Sequence, residues 1–175
     1  MMMNKFHITP IIGLACLAVL SSCRKSHWKN DEMKQVSSTI SYKIEHMTCD
    51  AYRVDDSYPG ERKIQDGEGL HGYAIISDAV TLPFKSRKEL SSILEDSDTY
   101  FRHSIPVDCL FRPGVAFRFN DKKTKVDLLV CFSCSELRYY LDGKVVGQSY
   151  FKSKKLRALV KKLFPKDKKI QSLKD

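Results

Sequence analysis

Two runs of strict apolar alternation constrain this chain more than any other feature of its sequence. Val115, Phe117 and Phe119 occupy every second position of one run; Val126, Leu128, Val130 and Phe132 do so in the next. A period of two belongs to a strand with one buried face, and Asn120-Asp121-Lys122-Lys123 between the runs reads as a turn. The pair predicts an antiparallel hairpin. A second hairpin follows at 137–141 and 144–150, joined by Asp142-Gly143. That dipeptide suits a type I′ turn, in which both central residues need positive φ.

The remaining elements are shorter. Ile40, Tyr42 and Ile44 alternate with Ser41, Lys43 and Glu45, which predicts a half-buried strand. Residues 55–69 carry Pro59, glycines and many charges and read as a surface loop, with Tyr73-Ala74-Ile75-Ile76 a strand beyond it. Residues 105–111 look extended until Pro113-Gly114 breaks the run. Ser86-Arg87-Lys88-Glu89 fits a capping box, followed by Leu90, Ile93 and Leu94 at helical spacing. Ser153 can cap a last helix, which Pro165 ends. Its stripe of Leu156, Leu159, Val160, Leu163 and Phe164 opposes Lys154, Lys155, Arg157, Lys161 and Lys162. That stripe can cover a sheet or lie in a membrane interface. The sheet is expected, because the helix at Leu90 is too short to cover the apolar face alone.

Strands and helices joined by tight turns predict the α+β class. The expected architecture is a single antiparallel sheet of about four to six strands with two main helices, cysteine-linked. No repeat or second domain is visible, so 39–175 reads as one globular domain.

The start of the chain has a different character. Lys5 and His7 precede an unbroken apolar run over 11–20, ten residues long. A spanning helix needs about 20, so 1–22 reads as a secretory leader. Leu20-Ser21-Ser22-Cys23 resembles the lipobox of bacterial lipoprotein precursors. The resemblance implies cleavage between Ser22 and Cys23, a diacylglyceryl group on the Cys23 thiol and an acylated new amino terminus. Two or more acyl chains hold a bilayer stably where one does not. Arg24, where an aspartate would signal inner-membrane retention, points to the outer membrane of the cell envelope. Residues 23–38 are largely polar and read as a flexible tether. An ordinary signal peptide with a soluble secreted product is the alternative.

With Cys16 in the leader and Cys23 lipidated, Cys49, Cys109, Cys131 and Cys134 remain. An even set outside the cytoplasm suggests two disulfides, in one of three connectivities. Hairpin register favours one of them. With Asp121-Lys122 as a two-residue loop, the same register carried outward sets Cys109 opposite Cys134, leaving Cys131 and Cys49 as the other candidates. Within Cys131-Phe132-Ser133-Cys134 an extended backbone sends the two thiols to opposite faces, so a bond between them needs a bend. Two other readings stand. One is a four-sulfur zinc site, although a zinc ribbon wants two Cys-x2-Cys pairs and this chain has one. The other is a redox-active Cys-x2-Cys, although that motif usually opens a helix.

Cys109-Leu110-Phe111-Arg112-Pro113, the strand 115–119 and the apolar strand ending in Cys131-Phe132-Ser133-Cys134 together resemble a group of small bacterial lipoproteins. The resemblance supports the domain and leaves its function open.

The net charge of +9 is concentrated at one end: 150–175 carries ten Lys/Arg against Asp167 and Asp175. Such a patch could suit nucleic acid, but an exported lipoprotein rarely meets it. It reads as a solvated face or a patch for anionic headgroups. No catalytic set appears. His27, His46, His71 and His103 are scattered, and there is no Gly-x-Ser-x-Gly, phosphate loop or His-Glu-x-x-His. Asp55-Asp56 could hold a cation but reads more simply as a solvated pair. No catalytic residue, metal or cofactor is assigned. The expectation is a membrane-anchored envelope lipoprotein acting as a structural or interaction module. Its partners would be the bilayer through Cys23 and anionic headgroups or an envelope protein, not nucleic acid. The alternative is a thiol-dependent metal-binding or redox protein of the envelope.

Overall fold

The alternating runs become two central strands of one sheet in a computed structural model that describes residues 44, 46–57, 59, 61, 69–104, 108–122 and 124–174. The leader, Cys23 and the tether lie outside the described residues, as do Ile40 and Tyr42. Strands β6 (Val115–Asn120) and β7 (Lys125–Cys131) pair with Val115 opposite Val130 and Asn120 opposite Lys125. The connecting loop therefore has four residues, not two. Asp121 holds it: its carboxylate accepts from the Thr124 N–H at 2.6 Å, and its own N–H donates to the Thr124 carbonyl at 3.1 Å. Facing pairs move by two positions relative to the expectation. An even shift leaves each side chain on its original face, so the buried set is unchanged.

The second hairpin forms as expected. Strands β8 (Glu136–Leu141) and β9 (Lys144–Phe151) meet at Asp142 (φ 47°) and Gly143 (φ 83°), both in the left-handed region. A bulge between Tyr139 and Tyr140 sets them against Gly147 and Val145. On the other side of the centre, β1 (Thr48–Arg53) pairs with β6. Two-residue strands close the edges: β4 (Val80–Thr81) beside β1 and β5 (Tyr100–Phe101) beside β9. The order is β4-β1-β6-β7-β8-β9-β5, antiparallel at every pairing. Seven strands exceed the expected four to six, because a two-residue strand has no periodicity to read. A small second sheet joins β2 (Gly69–Leu70) to β3 (Tyr73–Ala74) through a turn at His71 (φ 52°) and Gly72 (φ 89°).

Several boundaries differ from expectation. Ile44 is helical and buried, and the first described strand starts at Thr48. Residues 108–111 join no strand. Beyond Ala74, Ile75 makes only an isolated bridge to Val54. Helix α1 (Phe84–Glu95) begins directly after Pro83, so Ser86 and Glu89 lie inside it and the capping box does not form. Helix α2 (Ser153–Leu163) takes Ser153 as its first residue, and the Ser153 hydroxyl accepts from the Arg157 guanidinium rather than capping. Past Pro165, Asp167 caps an unexpected short helix, α3 (Lys168–Gln171), accepting from the Ile170 N–H at 2.9 Å.

The sheet separates two apolar layers. On one face Leu90, Ile93 and Leu94 of α1, Leu156, Leu159 and Val160 of α2, and Ile170 of α3 pack on Phe117, Phe119, Leu128, Tyr139 and Phe151. The stripe of the basic helix is therefore core, as expected. Arg157, placed with the solvated lysines, is instead buried. On the opposite face Leu70 and Tyr73 of the small sheet and Phe111 of the preceding loop cover Ala116, Leu129 and Tyr140.

Candidate functional site

Four described cysteines fall into three environments. Cys109, in the coil before β6, is bonded to Cys134 in the β7–β8 turn, with Cα atoms 5.8 Å apart. Their sequence separation is 25. The pairing is the expected one but its stated reason is not. In the observed register Cys109 would continue opposite Glu136; the coil and the turn, not the ladder, bring the sulfurs together. The turn at 132–135, with Ser135 at φ 49°, also supplies the bend that extended geometry lacks, and Cys131 and Cys134 share one apolar layer.

The second expected disulfide does not form. Cys49 and Cys131 are free and buried. Cys49 points into the helix-covered layer and Cys131 into the opposite one, so the sheet itself stands between them. The same separation keeps the four sulfurs from a common metal. Among the described residues no three or more His, Cys, Asp or Glu converge to hold an ion. Burial, reinforced by the Asp50 carboxylate and opposed by Arg87, pushes the Cys49 thiol far above its ordinary value. A thiol so protonated is a poor nucleophile. The Cys131 thiol lies 3.2 Å from the Ser133 hydroxyl and accepts from the Arg112 N–H at 3.4 Å.

A buried charge cluster escaped the sequence reading. Asp127, 3 % exposed, sits mid-strand in β7 opposite Arg118 of β6. Its two oxygens accept from Arg118 Nε at 2.8 Å and Arg118 Nη2 at 3.2 Å. His71 Nε2 lies 2.8 Å from Oδ2, and the imidazole stacks on Tyr140 with ring centres 3.7 Å apart. Burial pushes the Asp127 carboxyl up, but the hydrogen bonds from His71 and Arg118 outweigh it and leave it below the usual carboxylate value. An aspartate oriented on a histidine is half of a general-base arrangement. Here the ring lies flat on Tyr140, and the cluster clamps the β2–β3 turn to the sheet. The available signal was an acidic residue inside an apolar strand, which needs buried partners.

The other candidates do not assemble. Asp55 caps Ser57, accepting from its N–H at 2.8 Å, while Asp56 pairs with Lys169 at 2.6 Å. His103 packs edge-on against Phe101 and Tyr150, with ring centres 4.8 and 4.5 Å apart. His27 lies outside the described residues.

A cleft opens at the end of the sheet where β1 stops and β6 starts. Arg53, Arg112, Gly114, Ser133 and Lys169 line it, with α3 forming one wall. It holds about 90 Å³ of water-accessible space.

No described helix is long and apolar enough to cross a membrane. Comparison with family models, with curated proteins and with solved structures finds no match.

Proposed function

We propose that the chain is a lipid-anchored module of the bacterial cell envelope, held to a bilayer through Cys23 and working by contact rather than by catalysis. The observation that carries this reading is the bond between Cys109 and Cys134. Disulfides persist in oxidising compartments outside the cytoplasm, where the lipobox-like Leu20-Ser21-Ser22-Cys23 would send the domain. The buried Asp127 carboxylate is engaged by Arg118 and His71, and burial pushes the Cys49 thiol far above its ordinary value. Two exposed lysines of α2 form ion pairs, Lys155 with Asp96 (2.6 Å) and Lys162 with Glu89 (2.9 Å), and Lys154 adds a further exposed cation to that surface. Such a surface suits anionic headgroups or an acidic envelope protein. The outer membrane is the proposed location.

Metabolic labelling with a fatty acid in a bacterial host tests the anchor. Wild type should incorporate label and Cys23→Ser should not, accumulating as a slower-migrating precursor. Equal labelling of the two would overturn the proposal.

A further inference from the structure

We propose that the cleft at the end of β1 is a binding site for a small oxyanion, with the Arg53 guanidinium at its floor. Arg53 is 4 % exposed and donates from Nε to Asp167 Oδ2 at 2.7 Å. Its Nη1 is fully buried and has no hydrogen-bond partner among the described residues. Buried polar groups are almost always paired, and a charged donor without an acceptor is costly. Arg53 lines the adjoining cleft, and an acceptor seated there would meet this need.

The neighbours agree with that assignment. Gly114 lies against Nη1 so closely that an added Cβ would stand 3.1 Å from it. A side chain there would press on the guanidinium. Ser133 adds a hydroxyl, and Arg112 and Lys169 add two more cations. Against these three cations stand Asp167, beneath Arg53, and Asp56, on Lys169. Phe132, Ile170 and Leu173 complete the lining; apolar walls strengthen charge-assisted hydrogen bonds by excluding water. Space of about 90 Å³ admits a phosphoryl or carboxylate head and little more. Ser133 lies in the turn that the Cys109–Cys134 bond ties down, so the disulfide also fixes one wall of the site.

This inference does not depend on the anchor, and the test separates the two. The full chain, purified in detergent, is titrated calorimetrically with inorganic phosphate and, separately, with acetate at constant ionic strength. Cys23→Ser is treated in parallel and should bind equally well. One anion per chain is expected. Phosphate alone, acetate alone or both would each support the site and identify the head group it takes. Gly114→Ala, Lys169→Gln and Arg112→Gln should each weaken binding by about tenfold or more. Because Gly114→Ala crowds a buried guanidinium, melting curves accompany each variant, and the two exposed-cation variants decide the matter if it unfolds. The proposal is overturned by absence of binding at millimolar anion. It is equally overturned by binding that Lys169→Gln and Arg112→Gln leave unchanged, which would place the anion on the α2 lysines.

Discussion

Arg53 and Asp167 meet at 2.7 Å, joining the last residue of β1 to the cap of α3 across 114 residues of chain. Asp167 serves both ends of that contact, since its second oxygen accepts from the Ile170 N–H. Burial raises its pKa, but the Ile170 amide and Arg53 outweigh this and leave the carboxyl low. Asp167→Asn removes the counter-charge from an almost fully buried guanidinium. A loss of about 2–3 kcal/mol is expected in urea unfolding, less than for a fully buried pair because Asp167 remains 27 % exposed. An unchanged midpoint would mean the contact contributes nothing to the docking of α3.

Stability should fall on acidification, and Asp127 should account for part of the fall. Its folded pKa is depressed, so its contribution is complete above the unfolded carboxyl value of roughly 4 and is lost as pH drops through the lower folded value. Asp127→Asn should flatten the acid limb of a stability-against-pH curve between about pH 5 and pH 2. Asp96 and Asp167 are also depressed, so a residual slope should remain. An identical slope in the variant would exclude the cluster as a source.

Helix α2 should behave as core. Leu159 is completely buried against the sheet, and Leu159→Ala should cost about 2–5 kcal/mol. Lys154→Ala, on the exposed side, should change the melting midpoint little. Equal effects from the two would contradict the packing described.

Mass mapping of a non-reduced digest should recover a peptide pair linking Cys109 to Cys134, with Cys49 and Cys131 as free thiols. The latter two should resist alkylation until the chain is denatured, because both are buried. Cys109→Ala with Cys134→Ala should cost about 3–4 kcal/mol on the chain-entropy account of a 25-residue loop.

Gly143→Ala isolates a backbone effect. An added Cβ meets nothing within 4 Å, yet the residue sits at φ 83°. A loss of about 1–2 kcal/mol is expected from strain alone, read from the thermal midpoint. No loss would indicate that the turn relaxes to another type.

What the sequence determined by itself was local. Alternation at 115–119 and 126–132 placed two strands and their buried faces, because a side-chain period of two is set by the backbone whatever packs on it. Asp142-Gly143 specified its turn, since few dipeptides accept two positive φ angles. The apolar stripe of Leu156, Leu159 and Val160 identified a helix that had to cover something. The tertiary structure decided matters of distance. The four-residue loop after Asn120 depends on hydrogen bonds between Asp121 and Thr124 that an even register shift hides from any hydrophobic pattern. The β4 and β5 edges are too short to carry periodicity, and Pro83 started α1 ahead of the capping box. Whether cysteines could pair was decided by which side of the sheet each occupied, which put Cys49 and Cys131 out of each other's reach. Nothing near Arg53 in sequence marks its charge as buried, paired with Asp167 and one acceptor short, because that environment is assembled from β1, the start of β6, the β7–β8 turn and α3.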